Sequence, residues 1–127
     1  MRTPIRVLLV DDHAGLRQSL AALLRAEPDL AVVGEAANGQ IAIEQALALQ
    51  PDVVLMDINL PVLNGIEATR RIHAQAPSMV ILGLSMHQEP ELVQRLVEAG
   101  AAGFVGKGDP VETLLAALRA IRSADGH

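Results

Sequence analysis

Apolar positions along the chain switch repeatedly between a strand-like and a helix-like period. Residues 5–10, Ile-Arg-Val-Leu-Leu-Val, form a mostly apolar run that ends at two acids, as a buried strand does. Leu16, Leu20, Leu23 and Leu24 then recur at i, i+4, i+7 and i+8, one face of a helix that Pro28 stops. Residues 30–36 are β-like, and Asn38-Gly39 predicts a turn. Ile41, Ala42, Ile43, Ala46, Leu47 and Leu49 give a second helix ending before Pro51. Val53-Val54-Leu55-Met56 is a short strand that stops at Asp57. A third helix follows Asn64-Gly65, carries Ile66 and Ile72, and has Pro77 beyond it. Residues 79–84 read as a fourth strand. Pro90 opens a helix bearing Leu92, Val93, Leu96 and Val97, with Gly100 where a C′ glycine belongs. Gly103-Phe104-Val105 is a very short fifth strand. Asp109-Pro110-Val111-Glu112 has the pattern of an N-cap, a proline at N1 and a capping-box glutamate. Val111, Leu114, Leu115, Leu118 and Ile121 mark the last helix, and residues 123–127 are a polar stub.

Strand and helix thus alternate five times. At this length that order means βαβ units, a parallel sheet and helices on both faces. Ligands of such sheets sit beyond the carboxyl ends of the strands, at the switch point of the topology. Residues 5–122 contain no repeat, low-complexity tract or internal linker.

Composition narrows the chemistry. The 127 residues suit one domain of about 14 Å radius. Half of them are hydrophobic, and the mean hydropathy of +0.31 is too high for a disordered segment. Trp and Tyr are absent and Phe104 is the one Phe, which argues against gripping bases or flavins by ring stacking. The net charge of −5 offers no general basic face for phosphate backbones. No Cys means no disulfides, thiolate metal sites or cysteine nucleophile. The N-terminus leads into a strand rather than a signal segment, and no apolar stretch approaches the ~18 residues of a membrane span. A cytoplasmic location and no membrane partner are expected.

The strand ends carry the candidate chemistry. Strand one ends at Asp11-Asp12, strand three at Asp57, strand four at Ser85, and Lys107 follows strand five. If strands one and three are neighbours, the three acids converge. Two unit charges ~5 Å apart repel by about 3 kcal/mol at an effective dielectric of about 20. Such a cluster persists when a cation neutralises it or a member protonates. Oxygen ligands without His or Cys suit a hard ion, Mg²⁺ before Ca²⁺. A magnesium ion, a lysine and a hydroxyl around one carboxylate form a receptor for a phosphoryl group. The central carboxylate can itself be the nucleophile, giving an aspartyl phosphate.

Val-Leu-Leu-Val-Asp11-Asp12-His13, Asp52-Val-Val-Leu-Met-Asp57-Ile-Asn59-Leu-Pro61-Val-Leu-Asn-Gly65, Leu84-Ser85 and Gly103-Phe104-Val-Gly-Lys107 together resemble the receiver domain of bacterial two-component response regulators. The run from Asp57 to Arg70, with Gly34-Glu35-Ala36 and Asn38-Gly39, resembles the NarL/FixJ (LuxR-type) branch. The resemblance implies an α/β, flavodoxin-like, doubly wound sheet of order 2-1-3-4-5 with five helices on both faces. It covers a receiver domain over residues 1–122, and 123–127 would open an interdomain linker or a disordered tail.

It further implies that Asp57 is the phosphoacceptor for a histidine kinase. Asp12 and Asp57 would bind Mg²⁺ directly, Asp11 through water, and Asn59 through its backbone carbonyl. Lys107 would pair with phosphoryl oxygens, Ser85 would move to hydrogen-bond them, and Phe104 would turn inward behind it. The domain would assist its own phosphotransfer and autodephosphorylation rather than act as an enzyme. Phosphorylation would favour a homodimer, through helices one and five or four and five. It would also control a C-terminal helix-turn-helix domain in the parent, and so transcription. This acidic fragment itself is not expected to bind nucleic acid.

Each residue also has a plainer reading. Asp11 could cap helix one, Lys107 could be a surface lysine, Ser85 a strand-end hydroxyl and Phe104 core filler. Pro61 and Gly65 shape the loop after Asp57 without a chemical role. His13, His73, His87 and His127 show no metal-ligand spacing and read as surface residues, although His87, two past Ser85, could tune phosphoryl lifetime. Lys107 is followed by Gly108 where many receivers have a proline, so no cis bond is expected there. With Gly106 on the other side, the loop should be looser than usual. Competing functions are a stand-alone or non-phosphorylated receiver-like module, an aspartate-nucleophile phosphohydrolase, and an FMN carrier. The hydrolase would want Asp-x-Asp after strand one, and the carrier a Ser/Thr/Gly-rich phosphate loop.

Overall fold

The computed structural model describes residues 3–60, 63–85 and 90–124, the last three of them as backbone. Strands β1 (Ile5–Val10), β2 (Leu30–Ala36), β3 (Val53–Asp57), β4 (Val80–Ser85) and β5 (Gly103–Gly106) alternate with helices α1 (Ala14–Arg25), α2 (Gly39–Leu49), α3 (Gly65–Gln75), α4 (Pro90–Glu98) and α5 (Val111–Ala124). The sheet is parallel, in the order β2-β1-β3-β4-β5. This is the flavodoxin-like sheet that the receiver resemblance implies.

The apolar strands are explained by two-sided burial. Successive side chains of a strand point to opposite faces. Val7 and Leu9 of β1 join Val53, Leu55, Leu82, Leu84 and Val105 in a core beneath Ala21 and Leu24 of α1 and Leu114 and Leu118 of α5. Leu8 and Val10 join Val54, Met56 and Ile81 in a second core beneath α2, α3 and α4, which contribute Ala42, Ala46, Ile72 and Leu96. Arg6, the one polar residue of β1, has a structural use. Its guanidinium donates to the carbonyls of Gln50 at 2.7 Å and Leu49 at 2.8 Å, closing the end of α2 where Gln50 turns left-handed at φ 51°.

Several local expectations are corrected. Only half of the leucine face assigned to α1 turns inward, Leu24 in the core and Leu20 packed against it. Ala21 and Leu24 are buried, but Leu16 and Leu23 are 43% and 52% exposed. Arg17 takes an inward position instead, because Glu35 of β2 accepts its Nε–H at 3.1 Å. Asn38-Gly39 is not a free turn. Asn38 caps α2 by accepting the Ile41 N–H at 2.9 Å, and Gly39 begins the helix. Asp109 does not cap α5. Its carboxylate accepts the Gly106 N–H at 3.0 Å, and α5 starts at Val111, so Pro110 precedes the first helical residue. Two main-chain N–H groups of the loop around Lys107 are thus bonded, that of Gly106 and that of Lys107, which donates to the Ser85 carbonyl at 2.8 Å. No cis peptide occurs among the described residues. His73 is half-buried rather than on the surface. Its ring fills the space where a Cβ on Gly100 would stand, and Gly100 itself adopts φ +122°. The helix α5 continues through Ala124, two residues into the segment read as a polar stub. Pro61, His87 and residues 125–127 lie outside the described residues.

Candidate functional site

β1 and β3 are hydrogen-bonded neighbours with Val10 opposite Met56, so the residues just past them share one edge of the sheet. That places Asp11 and Asp12 beside Asp57 at the switch point, because β1 sits between β2 and β3 and the crossovers diverge from it. Asp11 is held by its own backbone. Its N–H donates to the Ala36 carbonyl at 3.0 Å, and its carbonyl accepts from Arg17 Nη1 at 2.6 Å. Asp57 ends β3, and the chain folds back so tightly that Gly65 N–H donates to the Ile58 carbonyl at 2.9 Å. A Cβ at position 65 would stand 2.0 Å from the Asp57 carbonyl oxygen, so only glycine fits there. Gly65 thus shapes the loop, as expected.

Lys107 reaches the acids from β5, across β4. Its Nζ lies 2.8 Å from Asp11 Oδ2 and 3.0 Å from Asp57 Oδ2. Asp11 and Asp57 are each 2% exposed, whereas Asp12 is exposed. Asp57 Oδ1 accepts the Asn59 N–H at 3.1 Å. Asp57 Oδ2 is buried and faces the ammonium without a well-directed hydrogen bond. Burial pushes the Asp57 carboxyl above its ordinary range, and Lys107 only partly offsets this. Burial also raises Asp11, but Lys107 and the His13 N–H outweigh it and hold Asp11 low. Burial alone would lower Lys107, yet its two carboxylate partners raise it, so it stays charged.

The expected residues therefore largely converge. Asp11, Asp12, Asp57 and Lys107 meet, and Asn59 brings its main chain to Asp57. Ser85 is buried at the end of β4, and its carbonyl anchors the Lys107 backbone. Phe104 stands apart, opposite Gly83 on β4 and half-buried against the core under α4. Two residues escaped the sequence reading. His13 is exposed, but not as an idle surface residue, because its Nδ1 lies 3.2 Å from Asp12 Oδ1 and 3.3 Å from Asp11 Oδ1. Its adjacency to the acid pair was the available signal. Arg17 holds the Asp11 carbonyl, and nothing in a helical arginine one turn on from His13 advertises that role.

Carboxylate oxygens of Asp11, Asp12 and Asp57 and a ring nitrogen of His13 all lie within 4.8 Å of one another. This mostly oxygen donor set, with Asp57 Oδ2 buried and lacking a hydrogen bond, fits a hard divalent cation. A buried carboxylate flanked by an ammonium can also receive a phosphoryl group.

Comparison with known proteins gives the same direction. Residues 7–119 match the family model of the response regulator receiver domain. The transcriptional regulatory protein LnrK of Bacillus subtilis is 38% identical over 94% of this chain and 54% of its own length. The response regulator UvrY of Escherichia coli O157:H7 is 39% identical over 97% of this chain and 56% of its own. A crystal structure of a LuxR-family two-component response regulator from Aurantimonas sp. SI85-9A1 superposes with TM-score 0.91 at 38% identity, covering 96% of this chain and 87% of that one. The chain spans about half the length of the curated relatives it matches.

Proposed function

The chain belongs to the response regulator receiver domain family, on the side of the LuxR-type regulators, and from that premise we propose that Asp57 is its phosphoacceptor. The observation that carries this reading is the Asp57 carboxylate itself, buried, set against the Lys107 ammonium, and flanked by two further acids. A carboxylate oxygen of Asp57 attacks the phosphorus of a kinase phosphohistidine. The new P–O bond replaces the P–N bond, and the leaving imidazole takes a proton from water. Lys107 turns from the carboxylates to the phosphoryl oxygens and keeps its charge throughout. Asp12 and Asp57 would hold Mg²⁺ directly, Asp11 through water and Asn59 through its carbonyl. When bound, that ion supplies a positive charge that steadies the phosphoryl oxygens.

Phosphorylation adds up to about two negative charges at one point. A conformation with the Ser85 hydroxyl and Lys107 drawn in satisfies them best, so phosphorylation biases a two-state equilibrium. Coupling of about 1–3 kcal/mol would shift populations about 5–150-fold. Phe104, close to α4, would follow Ser85, and the α4–β5–α5 face would change with it. Water attack on the acyl phosphate would reset the domain, which makes it a self-resetting signalling module and not an enzyme with turnover.

The relatives' names and the half-length match support a parent chain that adds a C-terminal DNA-binding domain. Dimerisation on phosphorylation fits the α1–α5 side best, where exposed Leu16 and Leu23 border a cavity of about 240 Å³ together with Val111. No helix among the described residues is long and apolar enough to cross a membrane, and cytoplasmic signalling accords with the family. Incubation with acetyl phosphate and Mg²⁺, followed by intact mass, should show one added phosphoryl group in wild type and none in Asp57→Asn. No addition in wild type would favour a receiver-like module that is never phosphorylated. Turnover of generic phosphate esters would favour a hydrolase.

A further inference from the structure

His13 stands at the N-cap of α1, a position where Ser, Thr, Asp or Asn would serve the helix better. Its side chain makes no cap hydrogen bond there. The ring is turned to the acids instead, with Nδ1 at 3.2 Å from Asp12 Oδ1 and 3.3 Å from Asp11 Oδ1. The backbone enforces this approach, because the His13 N–H donates to Asp11 Oδ1 at 2.9 Å. Nδ1 is also one of four donor atoms, from Asp11, Asp12, His13 and Asp57, lying within 4.8 Å of one another. Ligands at ~2.1 Å from one ion stand at most ~4.2 Å apart, so a small contraction lets Asp12, Asp57 and His13 share an ion, with Asp11 acting through water. The His13 side chain is 70% exposed and can make that move without repacking. Asp57 Oδ2 is buried without a well-directed hydrogen bond, and the ammonium 3.0 Å from it is shared with Asp11, so negative charge at this point is left over for a cation.

We propose that His13 is a nitrogen ligand of the divalent ion and shifts the site's preference from Mg²⁺ toward imidazole-accepting ions such as Mn²⁺. The inference rests on the reading that Asp12 and Asp57 hold a divalent cation. Mg²⁺ keeps its waters and takes oxygen ligands, whereas imidazole suits the transition ions. In the ligating ring Nδ1 carries the lone pair and Nε2 the proton.

Mn²⁺ and Mg²⁺ dissociation constants, measured by calorimetry on wild type, His13→Ala, Asp12→Asn and Asp57→Asn, test this together with pulsed EPR of the Mn²⁺ complexes. Wild type should show ¹⁴N coupling from a directly bound imidazole, and His13→Ala should lose it. Even outer-shell partners of metal ligands are worth about 10–100-fold, so His13→Ala should weaken Mn²⁺ by at least about tenfold. Mg²⁺ affinity should stay nearly constant. Binding lost in both aspartate variants, but with no nitrogen coupling in wild type, overturns the role of His13 and leaves the acidic site standing. The same holds if His13→Ala tightens both ions alike, which would make the ring a mere counter-ion. Mn²⁺ and Mg²⁺ binding untouched in both aspartate variants would overturn the acidic metal site itself.

Discussion

Lys107 Nζ stands between Asp11 Oδ2 at 2.8 Å and Asp57 Oδ2 at 3.0 Å, so two buried carboxylates share one ammonium. Removing one partner of a buried ion pair leaves an uncompensated charge and costs about 3–5 kcal/mol. Lys107→Ala should therefore lower stability by about 3 kcal/mol at neutral pH, read by urea unfolding. Millimolar Mg²⁺ should recover part of the loss, because it binds the folded acids. An unchanged midpoint would mean that the lysine does not compensate the pair.

The three groups predict distinct pH behaviour. Asp57 is raised by burial, so its charged form is disfavoured in the fold. It costs stability above its folded value, and that cost is relieved as pH falls through the folded value toward the ordinary 3.8. Asp11 is lowered, so its contribution is present above 3.8 and is lost only as pH falls below that, through its folded value. Lys107 is raised, so its contribution is full below 10.5 and is lost as pH climbs beyond that. Asp57→Asn should accordingly be more stable than wild type at pH 7, and the gap should narrow on acidification toward pH 4. Denaturation curves of both proteins across that interval decide the matter, and a constant gap would contradict a raised Asp57.

Much of this arrangement is legible in the chain because few signals compete there. Two-sided burial makes β1, β3 and β4 nearly pure apolar runs, and the acids that end β1 and β3 mark the sheet edge directly. What sequence could not give is how the helices turn about their axes. Leu16 and Leu23 fit a helical face as well as Ala21 does, but Ala21 and Leu24 take the core side, where Arg17 also reaches Glu35 and the Asp11 carbonyl. Asp109 likewise has every local mark of a cap, but the close return of the chain at Gly106 claims its carboxylate first. The sharing of Lys107 by two acids depends on a strand order that no local pattern contains.

Arg17 offers a test of how the site is positioned from behind. Its guanidinium ties the Asp11 carbonyl to Glu35, and its side chain is only 15% exposed. Arg17→Ala should weaken Mg²⁺ binding by about tenfold, as loss of an outer-shell support does. Arg17→Lys, which keeps charge but not the two-pronged geometry, should recover only a fraction of it. Glu35→Gln should resemble Arg17→Lys. Equal Mg²⁺ affinity in all three variants would show that the Asp11 turn holds without this support.

The glycines on either side of the site should behave oppositely. Gly65→Ala forces a Cβ into the Asp57 carbonyl, so the backbone carrying the acceptor must move. Overpacking of this kind costs about 1–3 kcal/mol, and phosphorylation by acetyl phosphate should fall steeply. Gly108→Ala meets nothing within 4 Å, so stability should stay within about 0.5 kcal/mol and phosphorylation should be unaffected. Comparable losses in the two variants would refute the close packing of Gly65 on Asp57.

Phe104 is the single Phe of a chain with no Trp or Tyr, and it stands on β5 opposite Gly83, half-buried against the core under α4. Fluorine-labelled phenylalanine therefore reports this one position. If phosphorylation of Asp57 draws Ser85 inward and Phe104 follows, the fluorine line should shift on adding acetyl phosphate with Mg²⁺. The same addition should leave the line of Asp57→Asn in place. Ser85→Ala should still accept the phosphoryl group by mass while showing a smaller shift, because the hydroxyl that couples the two events is gone. A wild-type line that stays fixed while the mass gain is complete would confine the change to the phosphoryl pocket and leave Phe104 as core filler.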